Sequence, residues 1–97
     1  MIKEELTKVI EMQEEFSNLF MVVYKPNNKK KFIEYDSDTC AFDIVEDKLL
    51  FGFWEYEDLS IKLKDIKSIL FEKFSKEMTI VHIGLKNSNE IMLHFTN

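Results

Sequence analysis

The chain has 97 residues and a net charge of −5, with 45% hydrophobic and 13% aromatic residues, two glycines, one proline and one cysteine. This suits a single domain with a modest core and excludes long low-complexity linkers. One cysteine, Cys40, rules out an internal disulfide and a zinc knuckle. The start, Met1-Ile2-Lys3-Glu4-Glu5, has no apolar run of the signal-peptide kind, and no stretch reaches membrane-spanning length, so a soluble cytoplasmic protein is expected.

Residues 3–17 are expected to form an amphipathic helix. Ile2, Leu6, Val9, Ile10, Gln13, Phe16 and Phe20 follow the i, i+3, i+4, i+7 spacing, and Glu4 and Glu5 suit the positive end of the helix dipole. The texture then becomes β-branched and aromatic. Strands are predicted at about 19–24, 30–36, 39–45, 48–54, 59–63, 66–72, 78–85 and 90–96, separated by turn-forming residues such as Lys25-Pro26-Asn27-Asn28, Ser37-Asp38 and Glu46-Asp47. The predicted class is α+β: one N-terminal helix packed on a seven- to eight-stranded antiparallel meander, folded as a bent sheet or a small barrel.

In the last hairpin, Val81, Ile83 and Leu85 share one face, as do Ile91, Leu93 and Phe95. Both triplets belong inside, which requires a loop with an odd number of residues. The simplest solution pairs Ile83 with Leu93 across Asn87-Ser88-Asn89, with an Asn in the left-handed region. It sets His82 opposite His94 on the outer face. Strand 90–96 is expected to be an unpaired terminal strand, and with the apolar stripe of the helix it invites a homodimer.

Charge is unevenly spread. Residues 32–58 hold nine carboxylates against one lysine, whereas the segments on either side are slightly positive. The same stretch carries Phe42, Phe51, Phe53, Trp54 and Tyr56. All thirteen cations are lysine, as expected of an AT-rich bacterial or phage genome, and direct nucleic-acid binding would need the opposite sign of charge. The candidate partner-binding residues are Glu46, Asp47, Trp54, Glu55, Tyr56, Glu57 and Asp58. In that arrangement Trp54 and Tyr56 serve as aromatic anchors with a carboxylate rim for a protein of basic surface. The competing reading buries both rings beneath the helix.

Enzymatic signatures are missing from the text of the chain: no nucleophile elbow, no phosphate-binding glycine loop, no His-Glu-x-x-His. Cys40 is expected to point inward and His82 and His94 outward, so a thiol–imidazole pair is not expected. The two histidines are too few for a metal site. No cofactor is expected.

The run Ile61-Lys62-Leu63-Lys64-Asp65-Ile66-Lys67-Ser68-Ile69, followed by Met78-Thr79-Ile80-Val81-His82-Ile83 and Glu90-Ile91-Met92-Leu93-His94-Phe95, resembles the later strands of bacterial pleckstrin-homology-like domains. The resemblance covers roughly the last forty residues. It departs from the family in having its helix at the N-terminal side and a strand, not a helix, at 90–96. It implies an adaptor or regulatory domain, with the Lys25–Lys31 hairpin facing a protein or an anionic head group. In size and charge the chain is also similar to small acidic phage proteins that block bacterial defence systems. That likeness implies an inhibitor that mimics nucleic acid.

Overall fold

The computed structural model describes residues 2–16, 19–26, 33–36, 40–53 and 57–96. The order is α1 (Ile2–Phe16), β1 (Leu19–Lys25), β2 (Ile33–Asp36), β3 (Cys40–Val45), β4 (Lys48–Phe53), β5 (Leu59–Lys62), a 3-10 turn (Leu63–Asp65), β6 (Ile66–Lys73), β7 (Met78–Leu85) and β8 (Glu90–Thr96). The class is α+β, helix first, with antiparallel strands. No described helix is long and apolar enough to cross a membrane.

The strands form two sheets, a five-stranded one in the order β2-β1-β8-β7-β6 and a three-stranded one in the order β3-β4-β5. A continuous meander is therefore not what forms. Neighbours run round in chain order and β8 returns to pair with β1, but the ring is open between β2 and β3 and between β5 and β6. The result is two facing sheets and not a closed barrel. β8 is paired on both sides, with β1 and with β7. This corrects the expectation of an unpaired strand at 90–96. Pairing between the first and last strands is a long-range contact that local patterning does not report.

Alternation along each strand sorts side chains into one shared core. Val81, Ile83, Ile91, Leu93 and Phe95 of the larger sheet meet Leu49 and Phe51 of the smaller, all fully buried. Phe42 stacks on Phe51 with centroids 5.5 Å apart at 28°, a geometry worth about 0.5–1.5 kcal/mol beyond area burial. Leu6 and Val9 of α1 are fully buried in this same cluster, and α1 packs against β6. The helix thus closes the core on the inward side and leaves Leu50 half-buried on the opposite face of β4.

The turn at residues 63–65 carries the chain from one sheet to the other. The Leu63 N–H still donates to the Asp47 carbonyl at 2.9 Å, extending the β4–β5 ladder. Two residues later, the Asp65 carbonyl accepts from the Lys86 N–H at 2.9 Å, extending the β6–β7 ladder. The two bonds carry the backbone pairing from one ladder to the other across the corner.

The last hairpin has an odd loop, but one residue nearer the N-terminus than predicted, which moves the partner of Ile83 by two residues. Ile83 faces Ile91, and Leu85 donates to the Asn89 carbonyl at 2.9 Å, so the loop is Lys86-Asn87-Ser88. Ser88 donates back to Leu85 at 3.0 Å, closing a tight turn, and Ser88 itself takes the positive φ of 71°. The Asn87 side chain accepts from the Asn89 N–H at 3.0 Å, which occupies the asparagine within the turn and leaves serine in the left-handed position. His82 consequently faces Met92, and His94 faces Ile80; the two histidines are not opposite each other.

Candidate functional site

The predicted acidic residues fall into separate groups. Glu46 and Asp47 form the two-residue β3–β4 loop, and both are exposed. Glu57 and Asp58 precede β5, beyond the Phe51–Leu59 pair, and both are exposed. They therefore stand at opposite ends of β4, on the order of 17 Å apart at about 3.3 Å per residue. Lys48 and Lys62 face each other directly beside the Glu46 end. Trp54, Glu55 and Tyr56 lie outside the described residues, as do residues 27–31 of the lysine-rich hairpin. Lys25 lies on β1 opposite Glu90.

A second feature is the outer edge of the larger sheet. β6 is its terminal strand, and no described strand pairs with its far side. Leu70 is 64% exposed, Phe71 42% and, just beyond the strand, Phe74 60%. A register shift between Ile66 and Ser68 distorts the beginning of this edge, and Lys73 ends it. Bulges and lysines are common means of blunting a free edge, and here they bracket an unblunted centre at Leu70-Phe71.

Across the outer face of the same sheet, His82 bridges three strands. Its Nδ1 lies 3.0 Å from Glu90 Oε1 on β8, and its Nε2 2.7 Å from Glu72 Oε1 on β6. Burial lowers the proton affinity of this imidazole, but hydrogen bonding to Glu90 and Glu72 and their negative charges outweigh it, and His82 titrates above its ordinary value. These contacts are diagonal across the ladders, so sequence reading missed them: they appear only once the register is known. His94 packs edge-on against Phe20 with centroids 5.9 Å apart, and its Nδ1 is buried with no hydrogen-bond partner among the described residues. Among the described residues, no group of three or more His, Cys, Asp or Glu side chains is placed to hold a metal ion.

The third feature is a cleft of about 550 Å³ at the corner where the chain changes sheets. Ser60, Ile61 and Lys62 of β5 line one side, and Asp65, Leu85, Lys86, Asn87 and Tyr24 the other. Consecutive residues of a strand point to alternate faces, so it is the free edge of β5 that borders the cleft. Ile61 and Leu85 are buried core residues. The Tyr24 hydroxyl accepts from Asn89 Nδ2 at 2.6 Å. No family model, curated protein or solved structure matches the chain.

Proposed function

We propose that the protein is a non-enzymatic protein-binding module that accepts an extended segment of a partner along the free edge of β6. The observation that carries this reading is the exposure of Leu70 and Phe71 on an edge strand of a five-stranded sheet, with Phe74 exposed just beyond its end. An edge strand presents unpaired N–H and C=O groups, which an incoming strand satisfies, while side chains at alternate positions supply selectivity.

A second reading rests on the exposure of Glu46, Asp47, Glu57 and Asp58. On it, the protein is an acidic inhibitor of the phage anti-defence type that occupies a basic nucleic-acid-handling site on another protein. Trp54, Glu55 and Tyr56 would complete that surface. The separation of the two acidic pairs along β4 requires a partner with basic groups comparably spaced. On the pleckstrin-like alternative, the Lys25–Lys31 hairpin would hold a partner protein or an anionic head group.

One experiment separates the first two readings. A partner captured by the wild-type protein and identified is titrated against two variants, L70K/F71K and E46K/D47K/E57K/D58K, each first checked for native circular dichroism. Loss of binding of at least tenfold in the first variant alone supports the β6 edge. Loss in the second alone, with affinity that collapses as salt rises, supports the acidic reading. Undiminished binding by both rejects both. Sedimentation with anionic vesicles tests the lysine hairpin.

A further inference from the structure

We propose that the corner cleft is a binding site for a small organic monoanion with an apolar body. A volume of about 550 Å³ falls in the range that encloses small ligands. Its base is apolar, provided by Ile61 and Leu85, which are 9% and 6% exposed. Among its described lining residues, two lysines stand against one aspartate. Lys62 and Lys86 reach it from opposite sides, from β5 and from the β7–β8 turn, and among the described residues neither is held in an ion pair.

Tyr24 adds a third donor. Its oxygen already accepts from Asn89 Nδ2 at 2.6 Å. A phenol has one proton to give, and with the oxygen engaged as acceptor that proton is left for another group. Among the described residues it has no other acceptor. The Asn89 contact also fixes where the hydroxyl sits, so the donor is positioned before a ligand arrives. Two ammonium groups and an oriented O–H are a suitable shell for a carboxylate or sulfonate.

Asp65 sets the charge limit. It lines the same cleft, and a second negative charge on the ligand would face its carboxylate. The site therefore favours a monoanion over a phosphate dianion, and the apolar base favours a ring or a short chain over a bare inorganic ion. The backbone beneath is tied down, since Asp65 and Lys86 are joined through their own main chain at 2.9 Å. This site is separate from the β6 edge, so neither proposal depends on the other.

The test is an amide-resolved NMR titration of the full chain with naphthalene-2-sulfonate, alongside neutral 2-naphthalenemethanol and inorganic phosphate. The expected result is saturable shifts confined to residues 60–62 and 85–87 with the sulfonate, and at least tenfold weaker response to the other two probes. The double substitution K62Q/K86Q should weaken sulfonate binding at least tenfold, and Tyr24→Phe about threefold. Lys62 and Lys86 are exposed, so unchanged spectra elsewhere will show that the double variant is folded. Three outcomes overturn the proposal: no saturable shift at these amides at millimolar probe, unchanged affinity in K62Q/K86Q, or tighter binding of phosphate than of sulfonate.

Discussion

His82 and Glu72, ten residues apart in sequence, meet across β6 and β7 with Nε2 and Oε1 2.7 Å apart. Glu90 holds the other ring nitrogen at 3.0 Å. Only the protonated imidazole can donate from both nitrogens, one to each carboxylate. In the neutral ring, one lone pair would face an oxygen anion.

The pH dependence follows from this geometry. A group whose pKa is raised by folding adds stability that is fully present below its unfolded value and is lost as pH rises through the folded one. His82 is such a group. The charged groups facing it are Glu72 and Glu90, with Lys25 across from Glu90 on β1. At fixed ionic strength, the denaturant midpoint should fall between slightly acidic pH and pH above the raised value. His82→Asn should flatten that slope. An equal slope in the variant would assign it to another group.

Gly84 and Ser68 occupy one space. A Cβ at Gly84 would lie 2.6 Å from Ser68 Oγ. Gly84→Ala alone should therefore cost about 1 kcal/mol, because Ser68 must leave its rotamer. In a Ser68→Ala background the same change should stabilise by about 0.5 kcal/mol, through the lower entropy of the unfolded chain. Equilibrium urea unfolding of the two singles and the double checks this. Additive values would mean that the two residues are not coupled.

Glu46 carries a φ of 59° at the first position of the β3–β4 loop. A side chain there is strained, and glycine is the residue that relieves it. Glu46→Gly should raise stability by about 0.5–1 kcal/mol, and Glu46→Val should lower it by at least as much. Thermal unfolding of both variants at one salt concentration is the measurement.

Lys48 and Lys62 face each other directly on neighbouring strands. Like charges in that relation repel, so Lys62→Glu should stabilise by about 0.5 kcal/mol. The gain should shrink at high salt. A loss of stability would show that some other feature compensates for the lysine pair.

Helix-first α+β organisation and antiparallel strands were legible because they rest on local periodicity and turn chemistry. The inward triplets of β7 and β8 were legible for the same reason, and with them the need for an odd loop. Which residues made up that loop was not, because the Asn87 side chain is spent on the Asn89 N–H, a bond that shows only in the folded geometry. The partnership of β1 with β8 was hidden by sequence distance. So was the His82 bridge, whose three members come from β6, β7 and β8. The acidic stretch was conspicuous as composition, but composition does not report that Glu46-Asp47 and Glu57-Asp58 end up at opposite ends of one strand. The corner cleft drew on Lys62 and Lys86, to which sequence reading had assigned no functional role.

The position of β8 has a consequence for synthesis. β3, β4 and β5 hold all their described ladder partners once residue 62 has left the ribosome. β1 and β7 each lack a neighbour until the last-made of the described strands arrives between them. A nascent chain can therefore order its smaller sheet early, while the apolar faces of the larger one stay incompletely assembled until β8 has itself emerged from the ribosome. Stalling within the final hairpin would leave those faces open to chaperones and to each other.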